Sequence, residues 1–314
     1  KLCRAEACKA RGVEALVPIA DNQSRIKVEA IYCLGLCAVG PSAMVGEKVA
    51  ITSSKPQTTR RAIRGIVHRE HGQIIIVDTP GLHRPRTLLG QRLNDLVDST
   101  LGDVDVIGFC IPANERIGVG DTFINEQLGN YRRAKLIAIV TKSELVSKKQ
   151  LAEQLLAVQA LREWSAIIPV SAVAEDQLEE LANLLITELP LSEQLYPDEI
   201  VTDETIESRI CELVREAALE GVRDELPHSL AVTMDEMNQR EGKDLMDVHV
   251  NVWVERDSQK SIIIGHKGSR LSDVGRRARL EIEKLLGQRV FLSIRVKVAP
   301  DWQRDPKQLG RLGF

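Results

Sequence analysis

From about residue 48 to residue 190, short apolar runs alternate with segments whose apolar residues recur every three to four positions. Strand-like runs fall at 62–68, 73–78, 104–111, 135–141 and 166–170, and helical patterns at 87–100, 121–130, 147–162 and 176–188. This alternation predicts an α/β fold, a doubly wound domain with a mostly parallel sheet. Pro190 and the acidic, proline-containing stretch 191–204 read as a linker. The pattern then changes. Ile206, Ile210, Leu213, Val214 and Ala217 lie at helical spacing within 205–221. Two alternating strands follow at 229–237 and 248–256, separated by a charged turn. A helix, a glycine-rich turn, a second helix (271–286) and a strand (290–298) complete an α+β domain of about 110 residues.

At 314 residues, 43% hydrophobic and 28% charged, the chain suits two soluble domains, each with its own core. The longest apolar runs fall far short of a membrane span. No signal peptide is read at the start, and an opening at Lys1 without an initiator Met fits a fragment or a processed product. A cytoplasmic location is expected, with peripheral membrane contact left open. The net charge of -3 is unevenly spread: residues 251–314 carry 14 Lys or Arg against 7 Asp or Glu. A basic C-terminal block suits a polyanion partner, and equally a solvated basic helix face. Of six cysteines, Cys110 and Cys211 sit within apolar patterns and read as small core residues.

Candidate chemistry begins at Ile74-Ile75-Ile76-Val77-Asp78-Thr79-Pro80-Gly81-Leu82. Four β-formers run into an acid, a hydroxyl, a proline and a glycine, as a buried parallel strand does when its end opens on a phosphate site. Asp78 could hold Mg²⁺ through water, and the Gly81 amide could reach a terminal phosphate, with Thr79 and Pro80 between them. The alternative is an ordinary strand end with a Pro-Gly turn. Upstream, Thr58 and Thr59 place adjacent hydroxyls on a loop before a strand, where Thr59 could bind Mg²⁺, or they simply belong to an exposed polar loop. After the 136–140 strand, Thr141-Lys142-Ser143-Glu144 resembles the Asn-Lys-x-Asp guanine clamp, with Thr for Asn and Glu for Asp. Ser171-Ala172 at the next strand end could read the base's O6 through a backbone amide.

In the basic block, Ile262-Ile263-Ile264-Gly265-His266-Lys267-Gly268 matches the G-x-x-G loop of a KH domain, here of type II. Two residues without side chains before a helix N-terminus let backbone approach phosphates. His266 and Lys267 would face phosphate, with Arg270 and Arg276 as neighbours, and the Ile262–Ile264 run would support the groove from the core. The tail Trp302-Gln-Arg-Asp-Pro-Lys307 offers an aromatic and cations to RNA, or a capping segment on the sheet.

Residues 46–314 resemble the Era family of ribosome-assembly GTPases, and most of all its actinobacterial members. The resemblance is carried by KVAITSSKPQTTRRAIRGIVHRE, IIIVDTPGLHRPRTLLGQRLNDLV, REAALEGVRDELPHSLAV, VERDSQKSIIIGHKGSRL and DWQRDPKQLGRLGF. It implies a P-loop GTPase-like domain at 46–190, the linker 191–204 and a KH RNA-binding domain at 205–314. It also implies GTP and GDP with Mg²⁺ as cofactors, slow GTP hydrolysis, and binding of small-subunit rRNA near its 3′ end on the small ribosomal subunit. Leu82 would stand where other GTPases carry a catalytic Gln, so no general base is assigned.

A phosphate-binding loop of the form G-x-x-x-x-G-K-S/T should precede Lys48. Gly35-Leu-Cys-Ala-Val-Gly40-Pro41-Ser42 stands there, so Gly35, Gly40 and the Mg²⁺ candidate Ser42 are kept while Pro41 takes the Lys position. Proline supplies neither ammonium nor amide donor. Losing such a contact costs a few kcal/mol, roughly 100-fold or more in affinity. Residues 1–45 carry Cys3-x4-Cys8 and Cys33-x3-Cys37 and resemble the thioredoxin-like iron–sulfur subunit of NADH dehydrogenases and the formate dehydrogenase gamma subunit. That resemblance implies Cys3, Cys8, Cys33 and Cys37 as ligands of a 2Fe-2S cluster, in a truncated ferredoxin-like segment replacing the phosphate-loop region. Zinc or free thiols remain the alternatives. Three functions follow: an Era-like GTPase binding rRNA, an RNA-binding pseudo-GTPase without turnover, and an electron-transfer fragment fused to an Era-like protein.

Overall fold

A computed structural model describes residues 28–34, 50, 59–70, 72–82, 85–220 and 229–314. The chain divides into two compact units, one of residues 1–50, 62–82 and 96–203 and one of residues 51–61, 83–95 and 204–314.

The first unit is built on a six-stranded sheet. Its strands are β1 (Val28–Leu34), β2 (Ile63–Arg69), β3 (Gly72–Thr79), β4 (Val106–Pro112), β5 (Lys135–Thr141) and β6 (Ala166–Pro169). They lie in the order β2-β3-β1-β4-β5-β6, with β2 antiparallel to β3 and every other neighbouring pair parallel. Burial on both faces explains the continuous apolar composition of β3, all eight of whose residues are buried. Pleating sends Ile75 and Val77 to one face, with Val97, Leu101, Phe109 and Val158, and Ile74 and Ile76 to the other, with Ile139, Leu181 and Leu185. The covering helices are α1 (Leu88–Asp103), α2 (Val119–Leu128), α3 (Lys148–Gln159) and α4 (Leu178–Glu188). At the start of α3, the Ser147 hydroxyl accepts from the Gln150 amide while the Gln150 side chain accepts from the Ser147 amide.

Strand β1 was not among the strands expected from the pattern. It falls within residues 1–45, whose cysteine spacing predicts a separate N-terminal segment. Pairing on both sides, to β3 over seven residues and to β4 over three, makes Val28–Leu34 an inner strand of this sheet. The stretch 191–204, read as a linker, is strapped to the sheet edge through most of its length. The Ile66 amide donates to the Val201 carbonyl (2.8 Å), and the Gln73 side chain exchanges hydrogen bonds with the Tyr196 backbone (2.8 and 3.1 Å).

In the second unit, α5 (Ile206–Leu219), α6 (Asp257–Ile264) and α7 (Ser269–Leu286) cover one face of a three-stranded sheet. Its strands are β7 (Ala231–Gln239), β8 (Met246–Val254) and β9 (Val290–Val298), with β7/β8 antiparallel and β8/β9 parallel. Val248, Val250, Val252 and Val254 meet Ile263, Val274, Ala278 and Ile282 in the core. The opposite face of the sheet is covered near Trp253 by Trp302, by Leu309 and Leu312 of α8 (Pro306–Leu312), and by Leu89 and Leu93 of α1. Trp302 is fully buried, donates from Nε1 to the Ser229 carbonyl (3.0 Å) and stacks on Phe314. The tail therefore caps the sheet rather than offering its aromatic to RNA. Trp302→Ala is expected to cost about 3–5 kcal/mol, as removal of a buried aromatic does. Urea unfolding followed by far-ultraviolet circular dichroism would register this, and an unchanged midpoint would refute the capping role.

Candidate functional site

Parallel strands deliver their carboxyl ends to one edge of a sheet, where α/β domains bind ligands. In the first unit, β1 and β3 run in register, Cys33 opposite Asp78 and Leu34 opposite Thr79. Strand β1 therefore ends beside Asp78 and Thr79, and Gly35–Ser42 follows it in the sequence. Asp78, Thr79 and Pro80 are buried and Gly81 is half-buried. The Thr79 hydroxyl is 2% exposed as a residue and finds no hydrogen-bond partner among the described residues. A buried, unsatisfied hydroxyl at a strand's carboxyl end is the kind of group a bound ligand satisfies. Leu82 packs against the apolar cluster of the α1–α3 face and has no proton to transfer.

The guanine-clamp candidates lie along the same edge. Pro112 of β4 pairs with Thr141 of β5, whose carbonyl accepts from the Ala113 amide (2.7 Å). The Thr141 hydroxyl is buried without a partner among the described residues. Lys142 adopts a left-handed conformation (φ 57°), an uncommon state for a residue with a side chain. It turns the chain into a short 3-10 turn at 143–145 that carries Glu144 into solvent. Lys142 Nζ lies 3.6 Å from a Glu115 carboxylate oxygen. The Ser143 amide donates to the Val170 carbonyl (3.2 Å), so the clamp turn is tied to the end of β6. Ser171 follows, buried, its hydroxyl accepting from the Ala174 amide (2.9 Å), with Ala172 half-buried beside it. Thus Asp78, Thr79, Thr141, Lys142 and Ser171 share one sheet edge, as their order in the sequence suggested.

Other candidates are placed differently. Gly35, Gly40, Ser42 and Thr58 lie outside the described residues, as do Cys3, Cys8 and Cys37. Among the described residues no group of three or more potential metal ligands is found. Thr59 is half-buried and belongs to the second unit. Its neighbour Arg60, which the sequence did not single out, is buried in that unit and donates to the Leu230 carbonyl (2.6 Å). Burial and then the nearby Arg215 charge pull its pKa down to about 9, against the opposing pull of Glu212 and Glu255. Cys110 and Cys211 are buried core thiols, and burial pushes Cys211 up to about 12.

In the second unit, the Gly265–Gly268 loop joins α6 to α7. Gly265 has φ +73°, and a Cβ there would stand 2.6 Å from Arg270 Cβ and 3.0 Å from the Arg270 amide nitrogen, so only glycine fits. Gly268 has φ +79° with open space beyond it, which leaves backbone accessible to a ligand. His266 and Lys267 are exposed. Arg270 is turned elsewhere, donating to the carbonyls of Ala218 (3.2 Å) and Glu220 (2.9 Å) at the end of α5. Arg276 is exposed and pairs with Asp273 (2.5 Å). Of the isoleucine run only Ile263 enters the core; Ile262 is 51% exposed. A helix period, not a strand period, governs that run, so adjacent residues cannot all face inward.

Known proteins bear out the two-part layout. Residues 34–143 match the family described as 50S ribosome-binding GTPase, and residues 225–303 match the KH domain family. The fold and site thus define a GTPase domain followed by a KH domain. GTPase Era of Streptomyces coelicolor is 59% identical over 282 residues, covering 87% of this chain and 89% of that protein. GTPase Era of Leifsonia xyli subsp. xyli is 69% identical over 274 residues, covering 87% and 92%. A crystal structure of Era in complex with MgGDPNP and nucleotides 1506–1542 of 16S ribosomal RNA is 32% identical, with a TM-score of 0.87 over 92% of this chain and 99% of that one. Aquifex aeolicus Era bound to GDP·AlF4⁻ gives 0.86 at the same identity and coverage. The chain belongs to the Era family. The resemblance of residues 1–45 to an iron–sulfur subunit finds no support: the GTPase match begins at residue 34, and β1 is a strand of the GTPase sheet.

Arg270→Ala is expected to lower stability by about 1–2 kcal/mol, because two helix-end carbonyls lose a charged donor. Arg276→Ala, which breaks an exposed ion pair, should change it by less than about 0.5 kcal/mol. Urea midpoints of the two variants would check this contrast, and equal midpoints would contradict it.

Proposed function

We propose that this chain binds GTP and GDP with Mg²⁺, hydrolyses GTP slowly, and binds small-subunit rRNA near its 3′ end during cytoplasmic ribosome assembly. The observation that carries the nucleotide reading is the buried Asp78–Thr79 pair in register with the strand that runs into Gly35–Ser42. Membership of the Era family, and the likeness to an Era structure holding MgGDPNP and 16S rRNA, support both halves.

The residues fit such a group: the Asp78 carboxylate and the hydroxyls of Thr79 and Thr141 line the strand ends, and neither hydroxyl has a partner among the described residues. Asp78 and Ser42 would hold the Mg²⁺. When bound, Mg²⁺ offsets the charge that gathers on the phosphate oxygens during phosphoryl transfer. Lys142 and Glu144 would hold the base, and the Ser171-Ala172 turn would present a backbone amide to it. Leu82 cannot orient or deprotonate water, which agrees with slow turnover. In the second unit, Gly265–Gly268 with His266 and Lys267 would clamp the RNA backbone.

A fluorescent GTP analogue titrated with Mg²⁺ tests the nucleotide half. Binding should be Mg²⁺-dependent and weakened at least about tenfold by Asp78→Asn, the scale of one charge-assisted contact. An unchanged affinity would remove Asp78 from the site. Pro41 in the place of the phosphate-loop lysine favours a second reading, an RNA-binding pseudo-GTPase. No nucleotide binding at high concentration, with RNA binding intact, would select it. For the RNA half, Gly268→Asp is expected to weaken RNA affinity by at least about tenfold, since it adds an anion beside phosphate at a left-handed position. Equal affinity would remove the loop from the interface.

A further inference from the structure

The loop after β4 is fastened at three points. Gln154 on α3 is buried and carries two amide hydrogens. Its Nε2 donates to the Pro112 carbonyl (3.1 Å) and to the Glu115 carbonyl (2.9 Å), so one side chain holds both ends of residues 112–115. Between them, the Ala113 amide donates to the Thr141 carbonyl (2.7 Å) at the end of β5. A buried amide that satisfies two loop carbonyls is costly to lose and leaves the loop little freedom. The Glu115 backbone is therefore fixed, although its side chain is 58% exposed.

That carboxylate reaches the Lys142 ammonium, 3.6 Å away. Lys142 is the residue whose backbone sits in the left-handed region (φ 57°), a conformation that local sterics disfavour. Such residues persist where their surroundings hold them, and they collect at ligand sites. The ion pair is exposed, and pairs of this kind contribute little to folding. Its effect is on freedom. A lysine stem has four rotatable bonds, and ordering it when a ligand arrives opposes binding. Because β4 and β5 are neighbours, a Lys142 side chain paired to Glu115 lies across the ends of both strands before any base arrives. The pairing also balances the ammonium charge, so the methylene stem is what an uncharged ring would meet.

Resting on the nucleotide reading above, we propose that Glu115 is a positioning residue for the guanine base. It acts through Lys142, holding the ammonium so that the stem is already extended as an apolar cover for the ring. Gln154 holds Glu115 in turn.

The test uses the full chain with Glu115→Gln, Lys142→Met and both together, titrated with a fluorescent GDP analogue and Mg²⁺. Methionine keeps an unbranched apolar stem and removes the ammonium. Glu115→Gln should melt with the parent chain and bind the analogue about threefold to tenfold more weakly, the scale of one immobilised long side chain. On the Lys142→Met background the same change should have no further effect, since its partner is gone. High salt should narrow the difference between the parent chain and Glu115→Gln by screening the pair. Equal affinity of the parent chain and Glu115→Gln would overturn the role of Glu115 and leave nucleotide binding standing. An equal loss on both backgrounds would overturn it as well, because Glu115 would not be acting through Lys142. If Lys142→Met binds too weakly to titrate, the salt dependence decides, and a difference that salt leaves unchanged overturns the proposal. Failure of the parent chain to bind the analogue would overturn both readings.

Discussion

Everything assigned to nucleotide in this chain depends on one constraint, that parallel strands end on the same edge of a sheet. Strand β3 is apolar for as long as both its faces are covered and becomes polar where cover stops, at Asp78 and Thr79. The same edge receives the end of β1 from one side and those of β4, β5 and β6 in sequence. Four separate segments, none informative by its own length, are gathered by hydrogen-bonded register alone. The hydroxyls of Thr79 and Thr141 lie buried at that edge without a partner among the described residues, the kind of groups that a polar ligand satisfies.

A similar economy governs the KH unit. The parallel pair β8/β9 requires a crossover, and α6, the Gly265–Gly268 loop and α7 supply it. Gly265 is required because the loop folds back so tightly that Arg270 occupies the space a side chain would need. Arg270 then secures the end of α5. The loop's geometry is thus fixed from beneath by a cation bound to backbone carbonyls, which leaves His266, Lys267 and Gly268 to face solvent. A residue counted among the ligand contacts by its charge is in the structure a support for those that are.

Much of this was legible in the order of residues. Uniform strands on a doubly covered sheet have a period-free apolar signature, so β3, β4 and β5 emerge within two residues of their observed ends. The G-x-x-G loop and the Asp78–Gly81 turn are local signals, because glycine and proline restrict or free the backbone where they stand. Strand β1 was overlooked for a physical reason. Cys33 lies within it and Cys37 four residues on, and cysteine spacing suggested a metal site where neighbouring strands instead impose extended pairing. The stretch 191–204, acidic and with a proline, looked free because its partners are backbone and side-chain groups of β2 and β3, more than a hundred residues earlier in the chain.

The sequence by itself determined most of the helices and strands, the division into a GTPase-like and a KH-like part, and the turns that bear chemistry, because these are set by periodicity and local backbone freedom. Only the tertiary structure decided that Val28–Leu34 completes the sheet, that Arg60 and Trp302 are buried supports, that Arg270 faces inward, and that Glu115 meets Lys142. Those outcomes depend on which groups from distant parts of the chain share a surface, and burial has no local signature when the partner is a backbone carbonyl.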